Sequence, residues 1–252
     1  MSIFTRSSAK RNVLEGVALG VILTTLSYLV GLQFGWIDTV SLLEAFAVFT
    51  SYVCTYLCVK ERRINYPIGA VSTAAYCVLF AQQGLLASTI LNAYLTPSLI
   101  YGWFRWKNDT VTRPVSRVSA KMIPVYIAVT AVAYAGAAFL TLHFGGAIIL
   151  TDSAILIGSI LAQFLLDNKK LENWGIWAIV NGFAIYTYAK AGLALAAFQY
   201  VFFLLNTIYG FVIWNRSRHE GLRTNDSIAT DQGAFAASAV QQPIGTDNSN
   251  RL

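Results

Sequence analysis

Eight apolar stretches follow one another along this chain, at about 13–32, 40–59, 66–83, 85–104, 122–142, 152–167, 174–190 and 193–214. Each is close to the roughly 20 residues a helix needs to cross a bilayer. In hydrocarbon every backbone N–H and C=O must find a partner within its own segment, so runs of this length fold as helices. Only 12% of residues are charged, against about 25% in a soluble domain. The expected fold class is therefore all-α: a polytopic membrane protein of about eight transmembrane helices, or seven if one of them is re-entrant. No small-residue cleavage site ends the first run, which reads as a membrane helix and not as a removable signal peptide.

The basic residues orient the chain. With the N-terminus inside, the inner segments hold Arg6, Lys10 and Arg11; Lys60, Arg62 and Arg63; Arg105, Lys107, Arg113, Arg117 and Lys121; Lys169 and Lys170; and Arg216, Arg218, Arg223 and Arg251. That is 17 of the 18, and only Lys190 falls outside. The positive-inside rule then predicts a multi-pass protein with both termini cytoplasmic, and an odd number of helices breaks the alternation. The same distribution accounts for the net charge of +6 without nucleic acid as a partner.

A shift of 108 positions aligns 41–107 with 149–215 without a gap. Leu42, Ser51, Leu57, Asn65, Ile68, Ala70, Ala81, Gly84, Leu85, Ile100, Tyr101, Gly102 and Trp106 recur as Leu150, Ser159, Leu165, Asn173, Ile176, Ala178, Ala189, Gly192, Leu193, Ile208, Tyr209, Gly210 and Trp214. Each unit spans three helices, and one linker helix between them gives both units the same orientation. Parallel repeats of this kind are a transporter architecture, with substrate held near the midplane between the halves. The expected organisation is a cytoplasmic N-terminus (1–12), an extra N-terminal transmembrane helix (13–35) and a first three-helix repeat (39–107). A linker transmembrane helix with its flanking loops (108–145), a second three-helix repeat (147–216) and a disordered cytoplasmic tail (217–252) complete it. The tail is rich in Ser, Thr, Asn, Asp, Gln, Gly and Ala and cannot bury a core.

Polar residues inside the runs mark candidate sites. In 172–188, Trp174, Trp177, Asn181 and Tyr188 share one helix face. Amide and indole groups at membrane depth need partners, so that face should look inward. Further stripes are Asp152, Ser159 and Gln163; Gln199, Phe203, Asn206 and Gly210; Glu44, Ser51 and Thr55; Asn65, Gly69, Ser72 and Tyr76; and Ser88, Asn92 and Thr96. Together they form a neutral, amide-rich and aromatic interior suited to a flat ring bearing hydroxyls and an amide. The candidate substrate-binding set is Trp174, Trp177, Asn181, Gln163, Gln199, Asn206, Tyr188, Asn92 and Tyr76. Such residues also serve as glue between membrane helices, and Trp174 also suits an interfacial belt. Glu44 and Asp152 read as helix-start carboxylates, and Trp36, Trp103, Trp106 and Trp214 as interface anchors.

Several function classes find no support. No charged residue lies at the middle of a run, so the usual proton relay or gating charge is missing. His143 and His219 have no metal-ligand spacing. Cys54, Cys58 and Cys77 read as packing residues, and no phosphate-binding Gly-Lys-Ser/Thr element exists. Neither a catalytic constellation nor a cofactor or metal site can be assembled, and the chain reads as no enzyme.

The Asn-Trp-x-x-Trp-x-x-x-Asn pattern of 173–181, with Phe198-Gln199-Tyr200, Asn206, Ile208-Tyr209-Gly210 and Trp214, resembles the PnuC family of bacterial nicotinamide riboside transporters. The similarity spans about 40–215. It implies the fold shared with SWEET sugar transporters in a 3+1+3 form, and uptake of the NAD precursor nicotinamide riboside (vitamin B3) by facilitated diffusion. It also implies a place in the bacterial cytoplasmic (inner) membrane, trapping by a cytoplasmic riboside kinase, and a homotrimer. Trp174 and Trp177 would hold the pyridinium, while Asn181, Gln163, Gln199 and Asn206 would serve the carboxamide and ribose. The absence of Arg and Lys from the interior disfavours the mononucleotide. A thiamine-like vitamin or a sugar remains open as substrate on the same fold, as does a non-transporting membrane receptor or scaffold.

Overall fold

A computed structural model describes residues 3–37, 41–82, 86–106, 114–143, 149–190 and 194–240. Eight α-helices account for nearly all of them: α1 (Ile3–Gln33), α2 (Leu42–Val59), α3 (Asn65–Gln82), α4 (Leu86–Arg105), α5 (Ile123–His143), α6 (Ile149–Asp167), α7 (Asn173–Lys190) and α8 (Ala194–Val240). The eight expected runs are thus found as eight helices. Among the described residues, four segments are long and apolar enough to cross a membrane by length and composition: Ala9–Gln33, Leu42–Val59, Ala120–Leu140 and Ala194–Leu222. The less apolar α3, α4 and α7 carry the Asn, Thr, Ser and Tyr that line the interior described below. Two expectations change. The first helix begins at Ile3, within the N-terminal segment read as polar, and α8 continues to Val240 through most of the tail expected to be disordered. A helix satisfies its own backbone without burying a core. Residues 241–252 lie outside the described part.

Helix α3 packs on both α2 and α4, and α7 on both α6 and α8. The two triplets close on each other through α2 against α8 and α4 against α6. Helix α1 lies on α2 and α8, whereas α5 leans on α6.

The tight turns after α2 and α6 sit at one end of the bundle, here called the basic end because Lys60–Arg63 and Lys169–Lys170 are there. Both turns close in the same way. Glu61 (φ 53°) and Lys169 (φ 49°) are the non-glycine residues with left-handed backbone. Arg62 N–H donates to Leu57 O at 2.9 Å and Lys170 N–H to Leu165 O at 2.8 Å, the six-to-one bond of a Schellman cap. Helices α3 and α7 then start on an asparagine whose Nδ2 donates three residues back, Asn65 to Arg62 O at 2.7 Å and Asn173 to Lys170 O at 2.6 Å. These pairs of residues are 108 apart, as in the sequence alignment.

The same offset governs the contacts between the triplets. Trp106 Nε1 donates to Asp167 O (3.2 Å), and Trp214 Nε1 to Cys58 O (3.3 Å) and Val59 O (3.2 Å). Each indole thus caps the last turn of the other triplet's first helix, where carbonyls lack partners. Tyr66 meets Trp106 edge-on at 5.1 Å, and Trp174 meets Trp214 edge-on at 5.2 Å. Both rings need a glycine opposite: a Cβ at Gly102 would overlap the Tyr66 ring, and one at Gly210 would lie 2.5 Å from Trp174. Trp106 and Trp214 are therefore buried core residues at 4% and 0% exposure, not interface anchors. Trp103 is half-buried under the Arg63 guanidinium, 3.6 Å from its ring.

The segment before α5 is tied to the second triplet. Ser116 N–H donates to Lys169 O (3.0 Å), Leu171 N–H to Ser116 O (2.9 Å) and Val118 N–H to the Glu172 carboxylate (3.0 Å). Val115 is buried in the same cluster as Tyr66, Trp106, Trp174 and Trp214.

Candidate functional site

Between the two triplets lies a cavity of about 450 Å³. Its lining runs from Cys58, Asn65 and Leu166 at the basic end to Trp36, Phe80 and Leu195 at the other. All nine residues singled out from sequence line it: Tyr76, Asn92, Gln163, Trp174, Trp177, Asn181, Tyr188, Gln199 and Asn206. The helical faces inferred from periodicity thus converge, because α3, α4, α6, α7 and α8 each turn a polar stripe inward.

The amides in the wall are fixed in one sense. Asn92 Nδ2 donates to Ser88 O (2.8 Å), Gln163 Nε2 to Asp167 Oδ1 (2.8 Å) and Asn206 Nδ2 to Thr55 O (3.3 Å). Asn181 Nδ2 donates to Thr207 Oγ1 (3.0 Å), whose own hydrogen is spent on Phe203 O (2.8 Å). Every one of these partners acts as an acceptor, so the flip of each amide is set by its neighbour. Four NH₂ groups are thus held by protein. Gln199 instead shares the Tyr76 hydroxyl, with Nε2 at 2.9 Å and Oε1 at 3.1 Å. Among the described residues, Glu44 is the single charged one in the lining, with no Lys, Arg or His.

The aromatic residues divide by depth. Trp174 is only 4% exposed, wedged against Trp214 and Gly210, and its Nε1 has no partner among the described residues. It belongs to the basic-end core as much as to the cavity. Trp177 is half-buried and packs on two core clusters, the one holding Trp174 and Trp214 and another holding Leu91, Ile155, Val180 and Ala184, so its ring forms an accessible wall. Tyr188 stacks obliquely on Tyr200 at 5.2 Å and approaches Ser88 at 3.5 Å.

Sequence reading passed over several neighbours. Thr207 orients Asn181, and Thr73 pairs with Thr96 at 2.9 Å across α3 and α4. Trp36 lines the cavity and is not simply an anchor. Cys54 and Cys58 also line it, as free thiols. Asp167, at the end of a run, escaped a criterion that looked for charge at mid-run; its place one turn beyond Gln163 on the same face was the available signal. Glu44 does sit in the first turn of α2, with Ser41 as the cap accepting from its N–H at 3.4 Å. The side chain of Asp152 lies outside what is described.

Fold and cavity together define a multi-pass membrane protein of the transporter class. The family model described as nicotinamide mononucleotide transporter matches residues 41–216, and the chain belongs to that family. The nicotinamide riboside transporter PnuC of Escherichia coli (strain K12) is 24% identical over 213 residues, covering 73% of this chain and 89% of that protein. The PnuC of Neisseria mucosa is 27% identical over 199 residues, covering 72% and 75%. The crystal structure of the vitamin B3 transporter PnuC shares the fold, with a TM-score of 0.68 at 20% identity over 87% of this chain and 99% of that one. The resemblance read from 173–214 thus leads to the same family. Because these relatives are transporters, the chain is classed with them and not with enzymes.

Proposed function

We propose that the protein takes up nicotinamide riboside by facilitated diffusion, with alternating access through the central cavity. The observation that carries this reading is the cavity wall: an accessible indole face, four amides oriented by the protein and, among the described residues, no cation. A pyridinium ring suits Trp177 by stacking and cation–π attraction, about 0.5–2 kcal/mol. The carboxamide NH₂ and ribose hydroxyls are donors that match the acceptors of Asn181, Gln163, Asn206 and Asn92. A phosphate would meet those oxygens and Glu44 with no Lys or Arg to offset its charge. The names of the relatives from Escherichia coli and Neisseria mucosa favour the riboside.

Transport further requires two parallel three-helix units that rock about the cavity, all eight helices crossing the inner membrane, and the basic end facing the cytoplasm. The 108-residue recurrence of caps, indole bonds and ring contacts supports the first. The Lys and Arg distribution supports the other two. Release at the basic end would part the Glu61–Lys169 pair and the indole bonds of Trp106 and Trp214. A cytoplasmic riboside kinase would keep the gradient inward, and assembly as a homotrimer belongs to the same proposal, checked by mass in detergent.

The direct test is a binding panel on purified protein: riboside, mononucleotide, nicotinamide, thiamine and glucose. The riboside should bind at least about tenfold tighter than each of the others, a difference of about 1.4 kcal/mol. Preference for thiamine or glucose replaces the substrate. Saturable binding with no vesicle uptake replaces the transport reading by a receptor.

A further inference from the structure

The last residue of α6, Asp167, is 1% exposed and takes part in neither of the ion pairs found among the described residues. Its carboxylate is surrounded by neutral donors. Tyr66 Oη (2.9 Å) and Gln163 Nε2 (2.8 Å) donate to Oδ1, and Ser98 Oγ (3.4 Å) to Oδ2. Donors thus converge on both carboxyl oxygens. The cations nearby are engaged elsewhere: Lys169 Nζ on Glu61 at 3.0 Å, and Arg105 Nη2 on Asn168 at 2.8 Å. Gln163 and Leu166 line the cavity, so one side chain separates this charge from the ligand space.

We infer that Asp167 determines charge specificity: acting through Gln163, it makes the basic end of the cavity negative and selects a cationic ligand over its neutral isostere. This rests on the riboside reading above. Two effects follow from the geometry. Holding Gln163 by its Nε2 leaves the amide oxygen for the cavity. Carboxylate charge behind an apolar wall is also screened far less than in water, so its potential reaches the ligand. The residue is a positioning and field-setting group, and does not itself touch substrate.

The probes are nicotinamide riboside, a pyridinium cation, and its 1,4-dihydro form, which keeps the carboxamide and ribose but is neutral. The full-length wild type should bind the cation at least about tenfold more tightly than the neutral form. Asp167→Asn, of the same shape, should bring that ratio below about threefold, while Asp167→Glu keeps it. A purely structural lesion weakens both ligands together and leaves the ratio alone, so an unchanged ratio in Asp167→Asn overturns the inference while the riboside reading stands. Equal affinities in the wild type overturn it without any variant, which covers an Asn variant that fails to fold. If the wild type binds neither riboside, the substrate reading falls and this inference with it.

Discussion

Glu61 and Lys169 occupy positions where helix ends ordinarily place glycine, and the left-handed backbone costs each about 1–2 kcal/mol. Their side chains meet across the triplets at 3.0 Å, with 8% and 3% of each exposed, and Lys169 also lies 4.6 Å above the Trp106 ring. Removing one partner strands a buried charge. Lys169→Ala should therefore lower stability by about 3–5 kcal/mol, and Glu61→Ala with Lys169→Ala together by clearly less than the sum of the single losses. Thermal unfolding in detergent checks this, and strict additivity would show the pair to be unimportant. In the cavity, Trp177→Ala and Asn181→Ala should each weaken riboside binding about tenfold or more, whereas Trp103→Ala, outside the lining, should change it less than about threefold. Thr207→Val tests the orientation argument. It removes the acceptor that fixes Asn181, and should cost a substantial part of what Asn181→Ala costs. At this scale the sequence was most informative where polarity breaks an apolar run, which is why all nine candidates reach the cavity. Thr207 and Asp167 were not legible, because a threonine in a membrane helix and an acid at a helix end each have ordinary explanations. Only packing shows what they hold.

Helices α2 to α7 were legible to within a few residues, since hydrocarbon length fixes their size. What periodicity could not show is how α4 and α8 approach α3 and α7. That depends on Gly102 and Gly210, whose missing side chains admit the rings of Tyr66 and Trp174. Gly210→Ala should push Trp174 from its place against Trp214 and weaken riboside binding several-fold, and the milder Gly182→Ala, where added atoms meet open space, should not. Radioligand binding on the two purified variants distinguishes them, and equal effects would mean that Trp174 has no need of this approach. The extension of α8 beyond Leu222 was also outside the reach of composition, which excludes a core but not a helix. Truncation after Leu222 should leave affinity within about twofold of wild type, since the cavity-lining part of α8 ends at Thr207.

Across the whole molecule, the two triplets share caps, indole bonds and aromatic contacts at the basic end, yet differ where the ligand would lie. Gly69 and Thr73 on α3 correspond by offset to Trp177 and Asn181 on α7. A scaffold with internal correspondence can rock as two bodies, and a ligand with a distinct ring and sugar needs walls that differ. Helix α1 lies on α2 as α5 lies on α6, and an offset of 108 carries 15–33 of α1 onto 123–141 of α5. The central claim is that this cavity passes nicotinamide riboside without ion coupling. Uptake of labelled riboside into proteoliposomes, with identical buffer on both sides, tests it most directly. The account predicts that wild-type vesicles fill until the inner and outer concentrations are equal, and that Trp177→Ala vesicles fill markedly more slowly. Accumulation only under an imposed proton or sodium gradient, or filling unaffected by Trp177→Ala, would contradict it.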